Sequence, residues 1–295
     1  MTAKRKAQIA TGVLYAACVA FTAAIYGRVP HPVAGIAVTT LLVFLLLWLE
    51  RVFPHRGAWS RSDGQVWNDL VHAVIGSGLG LMIGAALVVR IASRLSVGLW
   101  PFAAPVWVQG LLVFVIADLG HYVQHRLFHR VPLLWRFHML HHEAERLTVL
   151  KALRFHLFER VVQQVAMFGP LAVIGAPFDL VLVYLVPNMF LGFFTHSNVD
   201  VDFGILEYVV MGPASHRIHH SREATESHSN FGNCIVPLDM IFGTWKSPFR
   251  APGPRVLGIE GHAVQESALS QMLDPFSRDA ARLARPIDRT LNDVE

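Results

Sequence analysis

The sequence predicts an all-α integral membrane protein: about four transmembrane helices and a helical hairpin, with a histidine-rich cap on the cytoplasmic side. Three observations predict it. The 295 residues are 53% apolar and only 16% charged, where a soluble domain carries about 25% charged residues. Uncharged apolar runs long enough to span a bilayer recur through the first two-thirds of the chain. Most of the sixteen histidines fall between His121 and His228. The net charge of +4 comes from Lys and Arg set mainly between and after the apolar runs, and no nucleic-acid module is present. Cys18 and Cys234 are the only cysteines, which excludes a disulfide framework.

The first apolar run, Ile9 to Tyr26, follows Lys4, Arg5 and Lys6. A cleaved leader has the same layout, but the run is long and lacks a clear cleavage site, so it reads as a retained anchor. Val33 to Leu49 has no charge and can span. Leu70 to Val89 is rich in glycine and is expected to pack closely on a neighbour. Pro101 to Leu119 is the fourth span. Val161 to Thr195 is interrupted by Pro170, Pro177 and Pro187 and reads as a hairpin, spanning or re-entrant. The positive-inside rule puts the N-terminus and the loop of Arg51, Arg56 and Arg61 in the cytoplasm. Arg90 and Arg94 oppose that orientation. Arg126, Arg130, Arg136, Arg146, Lys151, Arg154 and Arg160 support it, and place His121 on the cytoplasmic side. Residues 1–110 thus form membrane anchor helices and 111–246 the histidine-bearing domain. Residues 247–295 form a loosely structured cytoplasmic tail with a short helix near Ala280.

Three histidine spacings carry the chemistry: His121 and His125, then His138, His141 and His142, then His216, His219 and His220. Residues three and four apart share a helix face, so each set can aim its rings at one point. Neutral imidazole binds iron, zinc, copper or nickel. Eight histidines exceed the three or four ligands of one ion and suit two metals.

In this order the boxes resemble the fatty acid hydroxylase superfamily, which includes sterol desaturases and alkylglycerol monooxygenase. The resemblance extends to Asp118, the run Leu134-Trp135-Arg136-Phe137 into the second box, Arg154 and His156, Pro213, Asn230-Phe231-Gly232 and Phe242-Gly243-Thr244. It covers roughly Leu111 to Trp245. Glu143, Leu157 and His228 depart from the usual pattern. The resemblance implies a membrane di-iron oxidoreductase that uses dioxygen to hydroxylate or desaturate a lipid C–H bond. The lipid class is a sterol, a fatty acyl chain or a related molecule. The chain carries no Rossmann fingerprint or haem-attachment motif, so electrons would come from a partner, a ferredoxin or a b-type cytochrome with its reductase. His196 is open as a ninth ligand or a supporting residue. Asp118, His129, His156 and Asn230 are expected around the ligands rather than on the metals. Asp118 would accept from a ligand imidazole or pair with Arg126. His31, His55, His72 and His262 read as ordinary. A zinc-dependent membrane lipid hydrolase and a non-enzymatic metal carrier are the alternatives. Surplus ligands oppose the first, and ligands set beyond helix ends rather than along a mid-membrane path oppose the second.

Overall fold

The computed structural model describes residues 31–201, 203–250 and 256–284, with isolated positions before residue 17. Helices dominate and no strand forms among the described residues; isolated bridges such as Val210 with Ile235 tie loops together. The run Ile9 to Tyr26 lies largely outside the described residues. The second run is helix α1 (His31–Val52). The third is one long helix, α2 (Val66–Leu95), π-helical over His72–Leu79. Helix α3 (Val106–Arg130) starts later than the fourth run and continues through the first histidines. Pro132 opens α4 (Pro132–His142), where its missing N–H costs no bond.

The hairpin is α5 (Leu157–Ile174) and α6 (Phe178–His196), broken at Gly175, whose φ of 81° makes a left-handed helix end. Pro170 and Pro187 sit inside these helices rather than ending them. Pro213 opens the short α7 (Pro213–His219). Among the described residues three helices, α2, α3 and α5, are long and apolar enough to cross a membrane.

Helix α5 packs between α2 and α3, and α6 packs on α3 and α1. Glycines set the close approaches. Gly76, Gly80 and Gly84 repeat every fourth residue on α2, and a Cβ at Gly84 would sit 2.5 Å from the Gln164 Cβ. On α3, a Cβ at Gly120 would lie 2.1 Å from the Ala166 carbonyl oxygen. The glycine content of the third run thus does what it predicts, letting backbones meet where lipid offers no hydrophobic drive. The main core joins Leu42, Leu46 and Leu49 of α1 to Tyr184, Phe190 and Phe194 of α6.

Among the described residues the tail is not loose. Residues 256–284 form the helices Ala268–Leu273 and Arg278–Leu283 and dock on α2 and α4. Polar anchors hold them. Asn68 donates to the Glu266 carbonyl at 2.8 Å and accepts from the Ala268 N–H at 3.0 Å. His72, fully buried, meets Gln271 at 2.7 Å. Such anchors leave no apolar periodicity by which docking could be recognised.

Candidate metal centre

Nine buried histidines converge in two adjoining groups. The first holds His125 and His129 of α3, His138 and His142 of α4, and His219 of α7. The second holds His141 of α4, His196 at the end of α6, and His216 and His220 at α7. Within each group, one nitrogen from each ring lies within 4.8 Å of those of all the others. The groups share a wall, where His142 stacks on His220 with centroids 4.4 Å apart.

The triplets do not each aim at one point, as their spacing alone suggests. In α4 the residues four apart, His138 and His142, enter the first group, and His141 enters the second. In α7 the assignment reverses: His216 and His220 enter the second group, and His219 the first. A four-residue step turns a helix about 40° and a three-residue step about 60° the other way. One triplet can therefore serve two neighbouring ions.

His121 stands outside both groups and His129 stands inside one. The His-x3-His spacing occurs twice in overlapping register, as His121/His125 and as His125/His129. Eight residues of helix span about 12 Å, so one ion cannot take all three. The structure gathers the second pair, where the sequence reading had chosen the first. His196 lies within the second group, its Nε2 3.0 Å from both His141 Nε2 and His216 Nε2.

The outer contacts fix the tautomers. His125 donates from Nδ1 to the Phe231 carbonyl at 2.9 Å, His219 to the Ser229 carbonyl at 2.7 Å, and His196 to the Gly192 carbonyl at 2.7 Å. His138 donates from Nδ1 to Glu159 Oε1 at 2.6 Å. Each of these rings therefore presents a bare Nε2 lone pair. Yet His125 Nε2 and His138 Nε2 lie 3.1 Å apart, a repulsive contact unless a cation joins them. With metal–nitrogen bonds of about 2.1 Å, neighbouring ligands at right angles sit about 3.0 Å apart and tetrahedral ones about 3.4 Å. The remaining contacts of 3.0–3.2 Å fit the first case. Five nitrogens in the first group also exceed the four of structural zinc. The donor set suits metals of higher coordination, and iron accepts imidazole well. Burial, reinforced by neighbouring imidazoles, pushes the pKa values of His138, His141, His142, His216, His219 and His220 well below the ordinary value. These rings stay neutral, as ligation requires.

The expected supporting residues divide. Asn230 makes no hydrogen bond to a histidine among the described residues; its left-handed backbone (φ 56°) turns a loop, and its amide donates to the Ser215 and Lys246 carbonyls. Asp239 braces the same loop through the Phe231 and Gly232 N–H groups and the Thr244 hydroxyl. The Asn-Phe-Gly and Phe-Gly-Thr elements thus present the two carbonyls that orient His219 and His125. Asp118 neither accepts from a ligand nor pairs with Arg126. It accepts from Tyr184 Oη and from the Cys234 and Ile235 N–H groups, tying α3 to α6 and that loop. His156 caps α5, its Nδ1 accepting from the Phe158 N–H and its Nε2 donating to the Met272 carbonyl. Glu143 binds Arg154 and, at 3.0 Å, His262 of the docked tail.

Sequence reasoning missed Glu159. It lies one helix away from the box it serves, and nothing in its spacing marks it. Glu159→Gln replaces the carboxylate that orients a ligand imidazole with a weaker amide acceptor, and is expected to weaken metal retention about 10–100-fold, read by titration against a chelator. Unchanged retention would mean that Glu159 is only packing.

Comparisons with known proteins place the chain in a family. The fatty acid hydroxylase family profile matches residues 110–244. The chain is 35% identical over 246 residues to ornithine lipid hydroxylase OlsE of Rhizobium tropici, covering 80% of this chain and 73% of that protein. It is 31% identical over 137 residues to alkylglycerol monooxygenase of Danio rerio, and 31% over 134 residues to that of Homo sapiens. Those matches cover 45% of this chain and 30% of either protein. No solved structure matches the chain significantly. A nine-histidine centre within a chain so matched identifies it: the protein belongs to the fatty acid hydroxylase superfamily and is an oxidoreductase of that family.

Proposed function

We propose that the protein hydroxylates a C–H bond of a membrane lipid with dioxygen, at a di-iron centre open to the cytoplasmic side. The observation that carries the reading is the pair of buried all-histidine groups, one of five nitrogens and one of four. We assign one iron to His125, His129, His138, His142 and His219, and the other to His141, His196, His216 and His220. Two irons so held would supply the dioxygen and electron chemistry that breaks an unactivated C–H bond. The protein's own part is to hold and orient. Carbonyls of Phe231, Ser229 and Gly192 and the Glu159 carboxylate keep Nε2 of their ligands free of protons. Burial keeps water from the rings. Electrons come from an external donor, a ferredoxin or a b-type cytochrome with its reductase.

The relatives' names support a lipid with a polar headgroup, and ornithine lipid is the first to test. Hydroxylation is favoured over desaturation because the relatives reported above, at 31% identity or more, are a hydroxylase and monooxygenases. The basic residues after α3 and around α4 favour the cytoplasmic orientation. Purified enzyme with reductant, ornithine lipid and labelled dioxygen should place label in a new hydroxyl. A product two hydrogens lighter without label would mean desaturation. Turnover without oxygen would refute both.

A further inference from the structure

His121 is wired in the opposite sense to the histidines beside it. Arg160 donates from Nη1 to Gln163 Oε1. A guanidinium has no acceptor, so the Gln163 carbonyl oxygen must face Arg160 and its NH2 must face His121. Gln163 therefore donates to His121 Nδ1, across 3.2 Å. Nδ1 is the bare acceptor, and the ring proton sits on Nε2. In His125, His138, His196 and His219 the proton sits on Nδ1 and Nε2 is bare. A ligand needs a free bare nitrogen; in His121 the bare Nδ1 is taken by Gln163, and Nε2 offers an N–H. Gln163 is its only hydrogen-bond partner among the described residues.

A second observation lies on the adjoining face of the same helix. Gln124, three residues on, is 3% exposed, and neither atom of its amide has a hydrogen-bond partner. A buried amide with no partner is costly and calls for one. His121 lies one turn, about 6 Å, before His125, toward the Val106 end of a helix apolar enough to cross the membrane. A lipid reaching the metal groups from the bilayer passes that level.

We propose that His121 is a hydrogen-bond donor to the lipid substrate rather than a metal ligand, and that with Gln124 it holds a polar group of that lipid beside the first histidine group. The inference rests on the lipid hydroxylase reading and narrows its substrate. A bare methylene chain would leave both residues unmet. The reacting carbon therefore lies a few bonds from an oxygen acceptor such as an ester, amide or hydroxyl, in the linkage or headgroup and not far along an acyl chain.

The test is anaerobic binding of ornithine lipid to the full-length, metal-loaded protein without reductant, alongside metal analysis. His121→Phe and Gln124→Leu should each keep the wild-type metal content and bind the lipid about tenfold more weakly. His121→Gln, which restores a donor, should recover most of that loss. Loss of one metal in both His121 variants would make His121 a ligand and overturn the proposal. Unchanged lipid affinity in His121→Phe and Gln124→Leu would overturn it too, leaving the hydroxylase reading intact. Wild-type protein that does not bind ornithine lipid would count against both the substrate reading and this inference.

Discussion

His219→Ala is expected to strip at least one metal from the protein and abolish lipid oxidation. His219 sits in the first group, and its Nε2 is buried with no hydrogen-bond partner. Its Nδ1 is fixed by the Ser229 carbonyl at 2.7 Å, so the ring is aimed before any ion arrives. Its ring also packs on those of His125, His129 and His142, with centroids 4.5–4.7 Å apart. Alanine removes a donor and leaves a cavity that water can enter. The loss should exceed the roughly 100-fold upper figure for an outer partner such as Glu159. Metal analysis and turnover check it. Full metal content with full turnover in His219→Ala would break the two-group account. His156→Ala, which removes a helix cap and a residue that enters neither histidine group, should cost only about 0.5–2 kcal/mol of stability and leave metal content alone.

Asp69→Ala is expected to give the largest loss of fold stability. Asp69 accepts from Lys151 Nζ at 2.7 Å and from Arg154 Nη1 at 2.9 Å, and all three side chains are buried. Arg154 also binds Glu143, and its Nε donates to the Leu140 carbonyl beside His141 at 3.2 Å. Lys151 keeps Asp63 at 3.0 Å. Removing one partner of a buried ion pair costs about 3–5 kcal/mol, because a charge is left stranded. Each cation here keeps a second carboxylate, which places the expected loss near about 3 kcal/mol. Denaturant unfolding in detergent measures it. Asp69→Asn should lose less, since the amide oxygen still accepts one bond. An unchanged unfolding midpoint in Asp69→Ala would show that the network is not holding α2 to the loop after α4.

The parts of this protein set by short-range periodicity were legible in the sequence. His138, His141 and His142 announce a shared site because three- and four-residue steps keep side chains on neighbouring faces. His216, His219 and His220 do the same. The apolar runs announce helices by length alone, and Pro170, Pro177 and Pro187 announce an interrupted hairpin, although only the Gly175 to Pro177 stretch is the break. What depends on the packing of distant segments was not legible. Spacing cannot choose between His121/His125 and His125/His129; the partner on α5 decides, since Gln163 takes the Nδ1 of His121. Glu159 looks like an ordinary helix carboxylate until α5 lies against α4. Asn230 carries a family signature, but its work is to turn a loop whose neighbouring carbonyls face two imidazoles. The tail docks through Asn68, His72 and Gln271, polar residues that look like surface in a linear reading. Glu143, a departure from the family pattern, joins Arg154 to His262, and only the fold shows why an acid stands there.

Two metals held by nine histidines are the central expectation for this protein. The most direct test is metal analysis of protein purified anaerobically after growth with iron and zinc both supplied. About two irons per chain are expected, falling by at least one in His219→Ala and in His216→Ala, which empty opposite groups. One zinc per chain, supporting lipid hydrolysis without oxygen, would contradict it.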